Sequence, residues 1–502
     1  MVADPTPKTG SRAESNEGLN RDAASGSLRR MTLRIVFVLV ALASASVRAA
    51  PTRDVVVAAM KRAAAAFEER ASFRGGYVNY VTLEGRRLGE GEATATEIWV
   101  QPPGTPAVGG ALLEAYEATG EASFLEAATR AGEALAYGQL ESGGWRNSID
   151  FDPAGPRVDQ YRNGKGRGRN FSTLDDHITQ SALQFLVRLD RALAGGHAEI
   201  RAAVDYALPR LLAAQYANGG FPQGWAGPVP PRPVVKASFP SYDWRTEGRI
   251  KEYWNEYTLN DGMALSMTGL LLDAWKIGGH EPARAALSRF GDFLLLSQLP
   301  DPQPAWAQQY GPDMHPIWAR AFEPPAVSGR ESEDAMIALL RIAEVTGEDK
   351  YAAPVVPAVK YLESSLLSDG QLARYYEIGT NRPLYMQRKG KSYELTNDDS
   401  NLPDHYGWKN PSRLEWIKNA WRARAAGKPL SETLDPAPAD AATVERRIGE
   451  LDSDGLWITT YDGSDTRLVG QPKFAEGEKY LGSERFATSL RELASYVKGL
   501  PK

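Results

Sequence analysis

Between residues 108 and 372 apolar positions recur three and four apart in paired runs, the period of helices that bury one face. The first pair opens with Ala111-Leu112-Leu113-Glu114-Ala115-Tyr116, breaks at Gly120 and resumes from Phe124 to Leu140, closing on Gln139…Gly143-Gly144-Trp145. A second runs from Ala182 to Leu193 and Ile200 to Tyr216, closing on Gln215…Gly219-Gly220-Phe221. A third runs from Gly262 to Ile277 and Pro282 to Leu299, closing on Gln303-Pro304-Ala305-Trp306. A fourth runs from Glu333 to Val345 and Tyr351 to Leu367, closing on Asp369-Gly370-Gln371-Leu372. Glycine after a second helix suits a left-handed stop. Helical hairpins repeated at this length stack side by side and can close into a ring. The pattern predicts an all-α fold, an incomplete (α/α)3 toroid whose long loops crowd one end. Loops on such a scaffold carry the binding chemistry.

Three stretches fall outside the repeat. Residues 226–258, rich in Pro, Arg and aromatics, are too long for a simple connection and predict an ordered lid or a sugar-facing wall. Residues 430–445 read as a linker, and the remaining tail, with an amphipathic stretch from Phe486 to Leu500, is expected to pack back on the ring. The toroid domain is therefore placed at 50–429 and the linker with its helical extension at 430–502. The third stretch is Ile35 to Val47, an apolar run behind Arg29, Arg30 and Arg34. It is short for a membrane span and matches the core of a signal peptide, with Val47-Arg48-Ala49 as the cleavage point before Ala50. Residues 1–49 are read as the signal region, with an over-extended start ahead of Met31, and the mature chain is expected to be secreted or periplasmic.

The absence of cysteine from all 502 residues rules out thiol nucleophiles, thiolate metal sites and disulfides. The net charge is −5, and residues 1–49 hold more Lys and Arg than Asp and Glu, so the mature part is more acidic still. An acidic protein is a poor general binder of polyanions, which argues against nucleic acid as a partner. No membrane partner is expected, and the protein is expected to be a monomer. An anionic substrate would have to be met locally, by arginines or by a bound cation.

Asp175-Asp176 stands at the start of the second hairpin and Asn260-Asp261-Gly262 at the equivalent place in the third. Helix capping explains either alone. Recurring on neighbouring hairpins of a ring, they face one another across the rim, and adjacent carboxylates suit calcium. Two loops share an Ala-Arg-aromatic-aromatic-Glu theme: Trp318-Ala319-Arg320-Ala321-Phe322-Glu323 and Leu372-Ala373-Arg374-Tyr375-Tyr376-Glu377. Arginine captures carboxylates in two-pronged fashion, as uronic acids would require. The five histidines have no zinc spacing, and no nucleophile elbow or dinucleotide fingerprint occurs. Gly164-Lys165-Gly166-Arg167-Gly168-Arg169 lacks the strand-loop-helix setting of a phosphate loop and reads as a flexible basic loop.

In this order the motifs resemble the family 10 polysaccharide lyases, the pectic acid lyases, over about residues 55–425. The resemblance rests on Asp175-Asp176-His177-Ile178-Thr179-Gln180, Gly219-Gly220-Phe221-Pro222-Gln223-Gly224-Trp225, Asn260-Asp261-Gly262-Met263, Trp318-Ala319-Arg320-Ala321-Phe322-Glu323-Pro324-Pro325, Ser328-Gly329-Arg330-Glu331-Ser332 and Tyr375-Tyr376-Glu377-Ile378-Gly379-Thr380-Asn381-Arg382-Pro383. It implies a pectate lyase that cleaves α-1,4-polygalacturonate by β-elimination and leaves 4,5-unsaturated oligogalacturonides. On the matching positions Arg320 is the base, Asp175 or Asp176 together with Asp261 holds Ca2+, and Asn260, Arg374 and Arg382 bind substrate. Phe322 departs from the family's usual Tyr, and the 226–258 insertion is longer than the family pattern.

Other readings stay open at the level of sequence. Toroids host several sugar chemistries, so a glycoside hydrolase using paired carboxylates, a lyase for another uronide, and a non-catalytic glycan-binding protein are the alternatives.

Overall fold

The computed structural model describes residues 50–501 other than 391, 464–467, 469 and 471–473. Residues 1–49, expected from the sequence to be a signal region, lie outside the described residues. Along the chain the helices are α1 (Arg53–Ala71), α2 (Thr105–Thr119), α3 (Ala122–Tyr137), α4 (Ile178–Ala192), α5 (Ala198–Ala213), α6 (Met263–Lys276), α7 (Glu281–Ser297), α8 (Gly329–Thr346), α9 (Val355–Ser364), α10 (Leu414–Ala425), α11 (Ser431–Leu434), α12 (Ala441–Gly449) and α13 (Ser483–Gly499).

Helices α13, α2, α4, α6, α8 and α10 pack in that order, each against the next, and α1, α3, α5, α7 and α9 back them from outside. The fold is the expected α/α toroid. Three hairpins, α4/α5, α6/α7 and α8/α9, form its centre, and α2/α3 and α1/α13 extend the ring on one side. Thus the C-terminal helix is a ring member, lying between α1 and α2 with Phe486 stacked on Phe67 at 4.1 Å. The 430–445 stretch is partly helical, since α11 and the start of α12 fall within it.

The inner helices are buried nearly all round. In α8 Met336, Leu339 and Leu340 are all inaccessible to solvent, and so are Met267, Leu270 and Leu271 in α6. Gly109 of α2 lies so near Phe185 of α4 that a Cβ there would sit 2.5 Å from its ring. Close-packed interiors have no room for such an atom.

The recurrent glutamines staple one hairpin to the next. Gln139 donates to its own turn at Gly143 O (3.0 Å) and to Ala203 O of α5 (2.9 Å). Gln215 donates likewise to Gly219 O and to Ala286 O of α7, both at 3.0 Å. In the third hairpin the equivalent residue is Gln298, which donates to Pro304 O and Pro354 O, and not Gln303 as the sequence spacing suggested. Each staple satisfies carbonyls left over where one helix ends and another passes.

Short antiparallel pairs fix the other end of the ring. Ser172–Thr173 pairs with Gly224–Trp225 ahead of α4, and Tyr257–Thr258 pairs with Gln309–Tyr310 ahead of α6. Val327–Ser328 pairs with Tyr375–Tyr376 ahead of α8. These pairs set the entry points of the inner helices, where the acidic turns lie. A five-stranded sheet joins chain-distant segments, Ile458–Thr460 and Lys479–Gly482 with Tyr80–Thr82, Arg87–Leu88 and Glu92–Ala93. No helix among the described residues is long and apolar enough to cross a membrane.

Candidate active site

Two equivalent turns start the site. Asp175–His177 leads into α4 and Asn260–Gly262 into α6, each as a single 3-10 turn. Asp176 (φ 46°) and Asp261 (φ 50°) are both left-handed, as are the residues that follow them, His177 (φ 61°) and Gly262 (φ 73°). Aspartate tolerates this conformation better than most residues. The two turns touch, and a Cβ on Gly262 would come within 3.0 Å of the His177 ring. The left-handed kink and this close approach together explain why glycine stands there.

The kinks bring Asp175, Asp176 and Asp261 together, with one carboxylate oxygen of each inside a 4.8 Å sphere of mutual distance. Burial, and then the charges of Asp261 and Asp175, push the Asp176 carboxyl up to about 8. Burial would raise Asp261 too, but the guanidiniums of Arg374, Arg320 and Arg330 outweigh it and hold that group below its ordinary range. Three hard oxygen donors, one of them too crowded by like charge to ionise readily, fit a divalent cation such as calcium.

Arg320 lies across this cluster. Its Nη2 donates to both oxygens of Asp175 at 2.8 and 2.6 Å, and its Nη1 donates to Glu323 Oε1 at 2.8 Å. Asp261 Oδ2 is 3.7 Å from the same Nη1. The backbone N–H of Arg320 donates to Glu323 Oε2 (3.1 Å), so the loop wraps its own acid. Burial alone would lower the arginine, but Glu323, Asp175 and Asp261 raise it well above its ordinary value.

Arg374 comes from the loop after the fourth hairpin, as expected, yet it lies beneath the site. Its side chain is 2% exposed and donates to Glu331 (2.8 Å), Asp261 (3.3 Å) and Asn260 (3.4 Å), over the ring of Tyr406 at 4.6 Å. The family resemblance implies a substrate contact for Arg374; here its guanidinium contacts Asp261 and Asn260. Asn260 is itself buried and accepts a short hydrogen bond from Gln308. Arg382 stands apart, 61% exposed on Glu377, whose other oxygen takes Arg245 of the 226–258 insertion. No contact among the described residues joins Arg382 to the acidic cluster.

The insertion is ordered. Ile250 N–H donates to Trp318 O at 2.9 Å, fastening it to the Arg320 loop, and Tyr253 and Trp254 line a cleft of about 440 Å³ beside Asp175 and Asp176. Sequence reasoning missed the opposite wall. Gln101 donates to Glu90 at 2.9 Å and to Asp176 at 3.1 Å, so a fourth carboxylate reaches the site from the N-terminal segment. Neither residue sits in a motif, and only the fold brings residue 101 beside residue 176. Buried Gln308 and Tyr375 and half-buried Tyr406 form a supporting chain: Tyr375 Oη donates to Gln308 Oε1 at 2.6 Å, and Tyr406 Oη donates to Glu323 at 3.1 Å. Sequence reasoning also missed Glu331, for which the Ser-x-x-Glu spacing of a helix start at Ser328-Gly329-Arg330-Glu331 was an available signal, and Ser328 caps α8.

Residues 139–372 match the family described as pectic acid lyase. That span holds Asp175, Asp176, Asn260, Asp261 and Arg320; it begins after Gln101 and ends before Arg374. No curated protein matches the chain. Among solved structures, a mutant of the family 10 polysaccharide lyase from Cellvibrio cellulosa, in complex with trigalacturonic acid, is 20% identical over 59% of this chain and 92% of that one, with a TM-score of 0.45. Cellobiose 2-epimerase from Spirochaeta thermophila is 15% identical over 89% of this chain and 96% of that one, also with a TM-score of 0.45.

Proposed function

From the premise that this chain is a polysaccharide lyase of the pectic acid lyase family, we propose that it cleaves α-1,4-polygalacturonate by β-elimination, with Arg320 as base and Asp175, Asp176 and Asp261 as calcium ligands. The observation that carries the proposal is the meeting of Arg320 with the three carboxylates at the edge of one cleft. The proton to be removed, on C5 of a uronate, is acidic only when the neighbouring carboxylate is neutralised. Calcium, when bound, supplies that neutralising charge as a Lewis acid.

The chain's own residues then divide the work. Asp175, Asp176 and Asp261 hold the cation, and Arg374 fixes Asp261 from below. Arg320 with Asp175 and Asp261 engaged elsewhere keeps only Glu323 of the three acids that hold its proton. Its burial then acts in the direction a base requires. Tyr253 and Trp254 wall the cleft and exclude water from one side. Arg382 is assigned an outer carboxylate contact on the strength of its exposure. The reaction leaves a 4,5-unsaturated end, and export through the signal region would put the enzyme where its polymeric substrate is.

A second reading has one observation in its favour, the firm charge that Asp175 and Glu323 impose on Arg320. In it Arg320 stays a cation and stabilises the enolate-like charge as it develops, and Asp176 handles the proton. The two separate in Asp176→Asn. Under the first reading saturating calcium restores most of the activity, and under the second it restores none. The test of lyase action itself is the ultraviolet absorbance of the unsaturated product. New reducing ends without that absorbance would show hydrolysis instead.

A further inference from the structure

The cleft beside Asp175 and Asp176 also carries basic side chains that the proposed chemistry leaves unused. Arg146 and Arg169 line it, with Phe171, and Tyr253 and Trp254 belong to the same lining. Arg146 is held in place: its Nη1 donates to the buried carboxylate of Asp159 at 3.1 Å. The same Asp159 oxygen accepts the backbone N–H of Arg169 at 3.2 Å. One buried acid thus holds the Arg146 guanidinium and the Arg169 backbone.

The glycines of the Gly164–Arg169 run explain how the loop does this. A Cβ on Gly166 would meet Asp159 O at 2.3 Å, and one on Gly168 would meet Val158 O at 2.1 Å. Gln160 N–H donates to Arg169 O at 3.0 Å. The run is therefore a folded-back loop packed on residues 158–160, and it differs from the flexible loop its composition suggested. Its last residue, Arg169, is exposed and makes no ion pair among the described residues.

We infer that Arg146 and Arg169 form a binding subsite for the free carboxylate of a uronate residue, with Tyr253 or Trp254 against the sugar ring. The inference rests on the polyuronate reading of the same cleft and extends it to specificity. Guanidinium binds carboxylate through paired, charge-assisted hydrogen bonds, and a methyl ester at that sugar offers no charge to meet. The subsite therefore favours unesterified stretches of the polymer. An aromatic face beside a charge-binding group is a recurrent way to hold an amphipathic ring.

The experiment compares wild type with Arg169→Ala, chosen because Arg169 is exposed and its backbone contacts survive the substitution. Steady-state kinetics are run on unesterified polygalacturonate and on highly methyl-esterified pectin, with calcium saturating. Calorimetry with oligogalacturonate is run in parallel at low and high salt. The expected result is a KM for polygalacturonate raised about tenfold with kcat within about twofold, a smaller preference over the esterified polymer, and a weaker salt dependence of binding. An unchanged KM and unchanged preference in an active enzyme would overturn the subsite and leave the lyase reading standing. If wild type does not turn over polygalacturonate, the lyase reading fails and the calorimetry decides the subsite alone. Oligogalacturonate binding weakened about tenfold in Arg169→Ala supports it, and absent or unaltered binding overturns it.

Discussion

Arg320 grips Asp175 with one nitrogen on both carboxylate oxygens, at 2.8 and 2.6 Å, and so holds a position beside the oxygens that calcium would need. A side-chain cation and a metal ion that share a carboxylate compete for it. Replacing Arg320 by Ala should therefore have two opposite effects. Turnover should fall at least about 10³-fold, and calcium affinity should rise, by roughly tenfold for one nearby like charge removed from a partly buried site. Kinetics and calcium titration on one preparation check both. A variant that loses activity and calcium binding together would show that Arg320 helps to build the metal site.

Calcium binding should also depend on pH. The Asp176 carboxyl stands at about 8 in the folded protein against an ordinary 3.8. Between those values the folded chain keeps a proton that the unfolded chain has released, so the stability of the calcium-free protein falls as pH rises from about 4 to 8. A bound cation needs the ionised form, so its affinity rises over the upper part of that range and its binding releases a proton. Thermal melts with and without chelator across this range should diverge as pH increases. Parallel curves would contradict the crowding of Asp176.

Arg374 should matter more to stability than its distance from substrate suggests. Its removal strands Glu331, which is fully buried, without its cation. Truncating one partner of such a pair costs about 3–5 kcal/mol. Arg374→Ala should show that loss in chemical denaturation, along with weaker calcium binding through a loosened Asp261. A change under about 1 kcal/mol would mean that the pair is not buried as described.

Much of this arrangement was legible in the chain, for identifiable reasons. The helical pairs announce themselves by apolar spacing, and the acidic turns by recurring at the same place in successive hairpins. Arg320 and Arg374 share a local theme because their loops follow equivalent hairpins. Depth was not legible: the spacing that places Arg374 in the loop after the fourth hairpin does not say that Asn260, Asp261 and Tyr406 cover it. Gln101 and Glu90 were invisible because their relation to Asp176 depends on how the first segments fold over the ring. The glycine-rich run misled because composition alone does not distinguish a flexible loop from one whose glycines allow backbone contact at Val158 and Asp159.

The staples offer a test of the ring that is independent of chemistry. Gln139→Ala leaves the buried carbonyls of Gly143 and Ala203 without this donor. Loss of two buried hydrogen bonds at a junction of hairpins should cost about 1–3 kcal/mol, read as a lowered denaturation midpoint with unchanged calcium affinity. An unaltered midpoint would mean that the staple adds nothing to the packing of α3 on α5.

The most direct measurement of the central claim is the ultraviolet absorbance of polygalacturonate incubated with the purified protein, in calcium and again in excess chelator. Absorbance that rises with calcium and stops with chelator is the predicted result, because the proposed elimination would create a conjugated unsaturated uronide and would require calcium at the proposed Asp175, Asp176 and Asp261 site. Cleavage that proceeds in chelator, or that yields reducing ends with no rise in absorbance, would contradict it.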